Sequence, residues 1–342
     1  MTVEDSKTLY RFKALALISI VMAHTYYTDI QSVIVVRYIH RFCTAGVFSF
    51  FFLSGFFFHP TKTSAQEFFK KKTIILLCPW LFCSTVYYCL LVLAKTKSLS
   101  ILSYINFFVG NGSYFYYLSM LCFCYLFFWR CYNKKAFLML AIALTAISTI
   151  LTAVDIIPTM VNINKWPFTY SNPYLNPFNW IGIFGLGLLF QQTSFNMHRL
   201  LLILKNRWVS VLLVSTTVYI ILVPFDNKDG YWSYFSLIIE AVLGIGLLCL
   251  ACGIEKFQVS RLIEYIGKLT LPIYLIHMPI QNRLFTAIAM KTNPLFAIIR
   301  PIVTILMLTL FLHLYKRALN LCPKSIQKIG HVVLGLHEKE NG

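Results

Sequence analysis

Long apolar runs, separated by short polar stretches, dominate the pattern of this sequence. A bilayer core takes roughly 20 apolar residues of α-helix to cross, and ten segments approach that length. They are predicted at residues 9–27, 43–58, 73–94, 113–130, 136–154, 174–192, 207–224, 232–252, 262–282 and 295–315. The second is the shortest, but its "VFSFFFLSGFFF" run is too apolar to lie in water. The pattern predicts an all-α, polytopic membrane protein with about ten transmembrane helices.

The loops between these segments are short, so a separate soluble domain has no room. We therefore expect one integral membrane domain over residues 1–342. Its helical bundle is predicted at about 9–315, followed by a short cytoplasmic C-terminal tail at 316–342. The first apolar segment ends in "AHTYYTD", which lacks a small-residue cleavage site, so it is predicted to be a retained helix.

Composition agrees with this class, because 58% of the residues are hydrophobic, only 12% are charged and the mean hydropathy is +0.70. The ten cysteines lie mostly inside apolar runs. Neither Cys122-x-Cys124 nor Cys249-x-x-Cys252 has a second ligand pair at zinc spacing, so no metal site is expected.

The formal charge of +18 needs a separate explanation. The 30 Lys and Arg residues are dispersed in small groups between apolar runs, without the basic arm of a nucleic-acid-binding protein. Short cytoplasmic loops of membrane proteins are enriched in Lys and Arg. A cytoplasmic N-terminus places most of these residues on the inner side, so both termini are predicted to be cytoplasmic.

Of the eight histidines, His24 and His277 fall well inside predicted spans, while His313 lies near the inner end of the last one beside Lys316 and Arg317. An ionisable group in hydrocarbon is costly and is by default a functional candidate. His24 follows Lys13 by eleven residues, a rise of about 16 Å along a helix. His277 lies about as far along its own outward-running helix. The two imidazoles could face one cavity, although a structural hydrogen-bonding role is also open.

An imidazole can take a proton from a hydroxyl and return it to a leaving group, which makes His24 a candidate general base. Basic residues near the predicted inner face could bind the phosphates of an anionic donor. These residues are Arg11, Lys13, Lys70, Lys71 and Lys72. Lysines that flank a span often only set topology, so both explanations stay open.

Glu240, within "SLIIEAVLG", is the clearest carboxylate inside a span. It could pair with a histidine or a cation, or face a wet cavity. Asp29 is a weaker candidate partner for His24, because it could orient the imidazole only if the helix has ended before residue 29. The longest outer loop, within "DIIPTMVNINKWPFTYSNPYLNPFNW", offers amide and aromatic side chains that suit a sugar. An ordinary interfacial aromatic belt would look the same.

Four stretches resemble the acyltransferase-3 family of integral membrane acyltransferases, which includes bacterial O-antigen and exopolysaccharide O-acetyltransferases. "RFKALALISIVMAH" fits the family's basic-x10-His motif with Lys13 and His24. "FFFLSGFFF" is similar to its apolar run that ends in Ser-Gly, here Ser54 and Gly55. The other two are "EFFKKKTIILLCPW", a basic stretch before a proline, and "YIGKLTLPIYLIHMPI", which contains Tyr274 and His277.

Two departures from the family pattern affect residues expected to bind the acyl donor. Family members often have an Arg-x-x-Arg pair before the proline, whereas Lys72 is followed three residues later by Ile75. The family's Trp-Phe-Leu is replaced by Tyr116, Tyr117 and Leu118. The resemblance nevertheless extends over nearly the whole chain.

The resemblance implies transfer of an acetyl group from cytoplasmic acetyl-CoA to a sugar hydroxyl of a cell-surface polysaccharide or its lipid-linked precursor. His24 would act as the base, and the five basic residues would hold CoA. Ser54, Tyr274, His277 and Glu240 are candidates for the substrate cavity. Acetyl-CoA would be a substrate, with no bound cofactor. The expected location is a bacterial inner membrane, with acyl-CoA, the glycan acceptor and the bilayer as partners and no nucleic acid.

Three alternatives stay open at this point. A glycan or lipid-linked-glycan exporter or flippase would also have many helices around a polar cavity, but such transporters often show internal repeats, and none is evident. A glycan polymerase would be expected to have a larger extracytoplasmic loop. The same family could also use succinyl or another acyl donor, or a non-glycan acceptor.

Overall fold

The computed structural model describes residues 2–24, 34–60, 64–157, 172–193, 197–228, 231–286 and 294–336. These residues form α-helices joined by turns, with no β-strand among them. The helices are α1 Val3–Ala23, α2 Ile34–Phe56, α3 Ala65–Lys72, α4 Cys78–Leu93, α5 Ile101–Val109, α6 Tyr116–Phe128, α7 Lys135–Ala153, α8 Ile181–Gln191, α9 Met197–Leu222, α10 Ser236–Gly253, α11 Ser260–Lys268, α12 Thr270–Thr286, α13 Pro294–Asn320 and α14 Lys324–Val333. The predicted all-α class is confirmed.

Six described segments are long and apolar enough to cross a bilayer. They are Arg37–Phe56, Ala65–Leu93, Lys135–Ala153, Met197–Phe225, Ser236–Lys256 and Ile299–Asn320. Two shorter apolar helices, α6 and α8, lie among them. The chain is thus a multi-pass membrane protein, while the count of ten spans and the cytoplasmic termini stay predictions.

Helix α1 is the central element of the bundle. It begins with a capping box in which the Thr2 side chain accepts from the Asp5 N–H and the Asp5 carboxylate accepts from the Thr2 N–H. It packs against α2, α10, α11 and α13. Because it is surrounded, residues on several of its sides, including Ala16 and Leu17, are fully buried. A residue on α1 can therefore face an interior cavity at any depth.

The second predicted span was wrong at its start, because α2 begins at Ile34 and not near residue 43. Arg37 and Arg41 interrupt the apolar pattern, which made this stretch look like a loop. Arg41 is fully buried, but it is ion-paired with Asp226 and also donates to the Ser233 hydroxyl. Pairing of a buried charge is what makes its burial tolerable.

The sixth and ninth predicted spans were also wrong in extent. α8 begins only at Ile181, after a 3-10 turn at Pro177–Asn179. The ninth span, predicted as one helix, is divided at Leu269 into α11 and α12. Periodicity cannot reveal such a break, because the apolar character continues across it.

Three helices, α3, α5 and α14, lie outside the ten predicted segments, and α14 forms within the predicted tail. Asp29, residues 158–171 of the longest loop and residues 337–342 of the tail lie outside the described residues.

Helices α2 and α8 approach each other closely through glycines. A Cβ added to Gly55 would lie 2.0 Å from the Phe184 carbonyl oxygen, and one added to Gly187 would lie 2.1 Å from that of Phe52. Small residues at such crossings are typical of membrane helices, since they allow the backbones to meet. The contact fixes the C-terminal half of α2, which contains Ser54.

Candidate active site

A cavity of about 560 Å³, here called the lysine cavity, lies between α1, α2, α6, α12 and the α3–α4 segment. Three lysines line it, Lys13 from α1 and Lys71 and Lys72 from the end of α3. Its other polar lining residues are Ser6, Tyr10, Ser54, Tyr117, Tyr125, Thr270 and Tyr274. The cavity thus combines positive charge with aromatic and hydroxyl groups.

Two of the three lysines of this cavity, Lys13 and Lys72, contact aromatic rings. The Lys72 Nζ donates to the Tyr125 hydroxyl over 3.2 Å and lies 4.3 Å from the centroid of that ring. The Lys13 Nζ lies 5.5 Å from the Phe57 ring centroid and 5.6 Å from that of Tyr10. Cation–π contact orients an ammonium group without neutralising its charge. The cavity therefore keeps its attraction for an anion.

Arg11 and Lys70 lie outside the lining of the lysine cavity. Lys70 is exposed on α3. Arg11 is 1% exposed, and its Nη1 donates to Glu264 over 2.7 Å, its Nη2 to Thr8 over 2.7 Å and its Nε to the Ala251 carbonyl over 2.9 Å. These bonds tie α1 to α10 and α11. The structure brings together three of the five basic residues proposed from the sequence.

A second cavity of about 450 Å³, here called the histidine cavity, contains His24. His24 is the first residue after α1, so the eleven-residue helical rise from Lys13 is present as predicted. Most of the polar lining consists of tyrosines and an asparagine. These residues are Tyr114, Tyr116, Tyr174, Tyr231, Tyr274 and Asn172, together with Ser113.

The rings of His24 and His277 lie close together, but the shared cavity that their matched depths allowed is not formed, since His277 lines neither cavity. Their ring centroids are 5.3 Å apart, and both rings lie beside Tyr114, at 6.0 Å and 5.0 Å. His277 is fully buried, and its Nδ1 donates to the Tyr274 carbonyl over 2.7 Å. Its Nε2 has no hydrogen-bond partner among the described residues. His277 therefore presents an unused ring nitrogen within a small cluster that contains His24.

The remaining sequence candidates occupy different places. Ser54 lines the lysine cavity, with its Oγ 3.4 Å from the Tyr117 hydroxyl. Tyr274 lines both cavities, and its hydroxyl donates to the Tyr114 carbonyl. Glu240 is buried on α10, outside both linings and close enough to Arg41 on α2 to interact with its charge.

Sequence reasoning missed most of the aromatic wall of the histidine cavity. Only Asn172 and Tyr174 belonged to the loop that it singled out. Tyr114 and Tyr116 follow the turn after α5, and Tyr231 precedes α10, so their common location depends on tertiary packing. Clusters of tyrosine near span ends were the available signal, but interfacial belts give the same signal.

A sharp turn positions this wall. Gly110 has a φ of +97°, and a Cβ there would lie 2.0 Å from the Tyr116 backbone nitrogen. Only glycine fits a positive φ at so close an approach. The next residue, Asn111, accepts from the Asn172 amide over 2.9 Å and donates to Asn106 over 3.0 Å. The hydrogen-bonded side chains of Asn106, Asn111 and Asn172 thus hold the loop before α8 against the turn that precedes Tyr114 and Tyr116.

Comparison with known proteins bears on this arrangement. The model of an acyltransferase domain family matches residues 11–316 of the chain. No curated protein and no solved structure gives a significant match. The match includes Lys13, His24, the α3–α4 segment and His277, and so spans both cavities. The chain therefore belongs to the acyltransferase-3 family of membrane acyltransferases.

Proposed function

We propose that this protein is a membrane O-acyltransferase that moves an acetyl group from cytoplasmic acetyl-CoA to a sugar hydroxyl. The acceptor is a cell-surface polysaccharide or its lipid-linked precursor, in the cytoplasmic membrane of a bacterium. The main support for this proposal is that the lysine cavity and the histidine cavity follow one another along α1. A basic chamber is thus followed, about 16 Å along the same helix, by a candidate base.

Lys13, Lys71 and Lys72 hold the phosphates of CoA in this proposal. CoA carries its phosphates at one end and its thioester at the end of a long flexible arm. A cluster of ammonium groups binds phosphate through charge-assisted hydrogen bonds. Arg11 is assigned a structural role, because its donors already bind Glu264, Thr8 and the Ala251 carbonyl. Lys70 is assigned no contact with CoA.

The histidine cavity holds the acceptor sugar. Tyrosine faces pack on pyranose rings, and amide groups exchange hydrogen bonds with hydroxyls. Among the described residues, the lining of this cavity contains no charged side chain. It therefore suits a neutral sugar and a neutral acyl group. A succinyl group would leave a carboxylate there without a counter-ion, at a large desolvation cost.

The chemical step is direct transfer. The acceptor hydroxyl oxygen attacks the thioester carbonyl carbon while His24 takes the hydroxyl proton. The new C–O bond forms, the C–S bond breaks and the CoA thiolate receives the proton from His24. The products are an O-acetyl sugar and free CoA, and His24 returns to its starting state. The His277 ring packs beside the His24 ring, and Tyr274 holds the turn at Tyr114 by donating its hydroxyl hydrogen to the Tyr114 carbonyl.

Replacement of the base tests this assignment. We expect His24→Ala to lower kcat by about 10²–10⁴-fold, because that is the usual contribution of a positioned general base. Membranes are supplied with radiolabelled acetyl-CoA, and the surface glycan is analysed by mass spectrometry. His59→Ala is the control, because His59 is an exposed histidine outside both cavities. Full acetylation by a well-expressed His24→Ala variant would overturn the role of His24.

The donor is tested in the same membranes. Unlabelled acetyl-CoA should reduce label incorporation at lower concentration than succinyl-CoA does. A flippase or exporter would incorporate no label from any acyl-CoA. Incorporation from succinyl-CoA alone would contradict the acetyl assignment while leaving acyl transfer intact.

A further inference from the structure

The lysine cavity and the histidine cavity share two lining residues, Ile20 and Tyr274. Both side chains are buried, with 3% of Ile20 and 6% of Tyr274 exposed, so they form the wall between the two cavities. Under the proposed function, the thioester approaches from the lysine cavity and the hydroxyl lies in the histidine cavity. The reacting carbon must therefore reach this wall.

Ile20 stands one helical turn before His24 on the same face of α1. Residues four apart on a helix are direct neighbours. The Ile20 side chain thus lies along α1 between Lys13 and His24. An acyl group that moves from the lysines toward the base has to pass it.

Tyr274 closes the opposite side of the wall. Its ring centroid is 5.8 Å from that of Tyr117, which lines the lysine cavity, and 5.6 Å from that of Tyr114, which lines the histidine cavity. The Tyr274 hydroxyl donates to the Tyr114 carbonyl, and the Tyr114 hydroxyl donates to the Leu275 carbonyl over 2.7 Å. This reciprocal pair holds the ring in place, so Ile20 is the less restrained half of the wall.

We propose that the gap between Ile20 and Tyr274 is the binding site of the acyl group, and that the volume of Ile20 limits the length of the acyl chain. The inference rests on the proposed function and adds its specificity-determining residue. An acetyl group needs only a small opening. Each further methylene must displace the Ile20 side chain, which is buried against its neighbours and has little room to move.

The test compares acetyl-, propionyl- and butyryl-CoA, radiolabelled in the acyl group, in membranes that contain the protein and its endogenous acceptor. The wild type should prefer acetyl, with kcat/KM falling about 10-fold or more per added methylene. Ile20→Ala should raise the butyryl-to-acetyl ratio of kcat/KM about 10-fold or more. Ile20→Val should give an intermediate rise and is expected to fold even if Ile20→Ala does not.

Leu15→Ala is the matched control. Leu15 is 8% exposed on the same helix, lines neither cavity and loses the same number of carbons on truncation. It should lower the amount of folded protein without changing the chain-length ratio. A wild-type ratio in both Ile20 variants, or an equal rise in Leu15→Ala, would overturn the inference while acetyl transfer by the wild type upholds the function. No transfer from any donor would overturn both.

Discussion

Lys72 and Lys70 stand two positions apart but face different surroundings. Lys72 lines the lysine cavity and contacts Tyr125, whereas Lys70 is exposed outside the lining. The sequence presents "KKK" as three equivalent cations. The direction of each side chain on α3, which the fold decides, places Lys71 and Lys72 in the lining of the cavity and Lys70 outside it.

We expect Lys72→Gln to raise the KM for acetyl-CoA several-fold with a smaller change in kcat. The reason is that a partly exposed charge pair contributes about 1 kcal/mol. Lys70→Gln is the matched comparison and should leave KM within twofold of the wild type. Steady-state kinetics with washed membranes measures both. Equal KM values for the two variants would contradict the assignment of Lys72 to the donor.

His24 and His277 differ in how much of their role can be predicted from the sequence. His24 is identifiable from sequence alone, because an ionisable residue inside an apolar run is rare and costly. Its neighbour His277 was expected only from matched depth. The 5.3 Å between their rings depends on how α12 packs, after the break at Leu269 that the sequence did not predict. Arg11 shows the reverse, because it lies two residues before the motif residue Lys13 but its donors bind Ala251, Glu264 and Thr8 within the protein.

At the scale of elements, the turn between α5 and α6 decides the shape of the histidine cavity. We expect Gly110→Ala to destabilise the protein by about 1–3 kcal/mol, since it forces a side chain into a left-handed conformation. It should also reduce transfer by displacing Tyr114 and Tyr116. Thermal unfolding in detergent measures the first effect and acetyl transfer the second.

Gly246→Ala is the control for this turn. Gly246 lies within α10, where an added Cβ would meet Ser215 at an ordinary 3.5 Å. Alanine is the better helix former, so stability should be unchanged or slightly raised. Equal melting temperatures for Gly110→Ala and Gly246→Ala would mean that the turn at Gly110 does not constrain the tyrosines that line the histidine cavity.

For the molecule as a whole, the order of the two cavities along α1 defines an inner and an outer end of the candidate site. The lysine cavity lies toward the inner end of α1 in the predicted topology, where CoA would be available, and the histidine cavity lies toward the outer end. Arg37 and Arg41 would lie on the outer side in the predicted topology, but both belong to α2 and bind Asp226. They are thus not loop charges that oppose the predicted orientation.

Reporter fusions test this orientation. Green fluorescent protein fused to the C-terminus should fluoresce, because it folds in the cytoplasm. Alkaline phosphatase placed after Lys97, between α4 and α5, should be active, since that turn is predicted to be outside. The same reporter after Lys134, between α6 and α7, should be inactive. The opposite pattern would invert the bundle and place the lysine cavity on the wrong side for cytoplasmic CoA.

The all-α membrane class, the rise from Lys13 to His24 and the family-like motifs could all be predicted from the sequence. These properties are local, since apolar run length and helical spacing need no knowledge of distant residues. The packing of the helices, in contrast, decided that α2 includes two arginines, that α11 and α12 are separate and that Arg11 joins three helices. It also decided that tyrosines from distant segments form one wall and that Ile20 and Tyr274 separate two cavities. Each of these depends on which helices pack together, because buried charges and cavity walls are made by partners far apart in sequence.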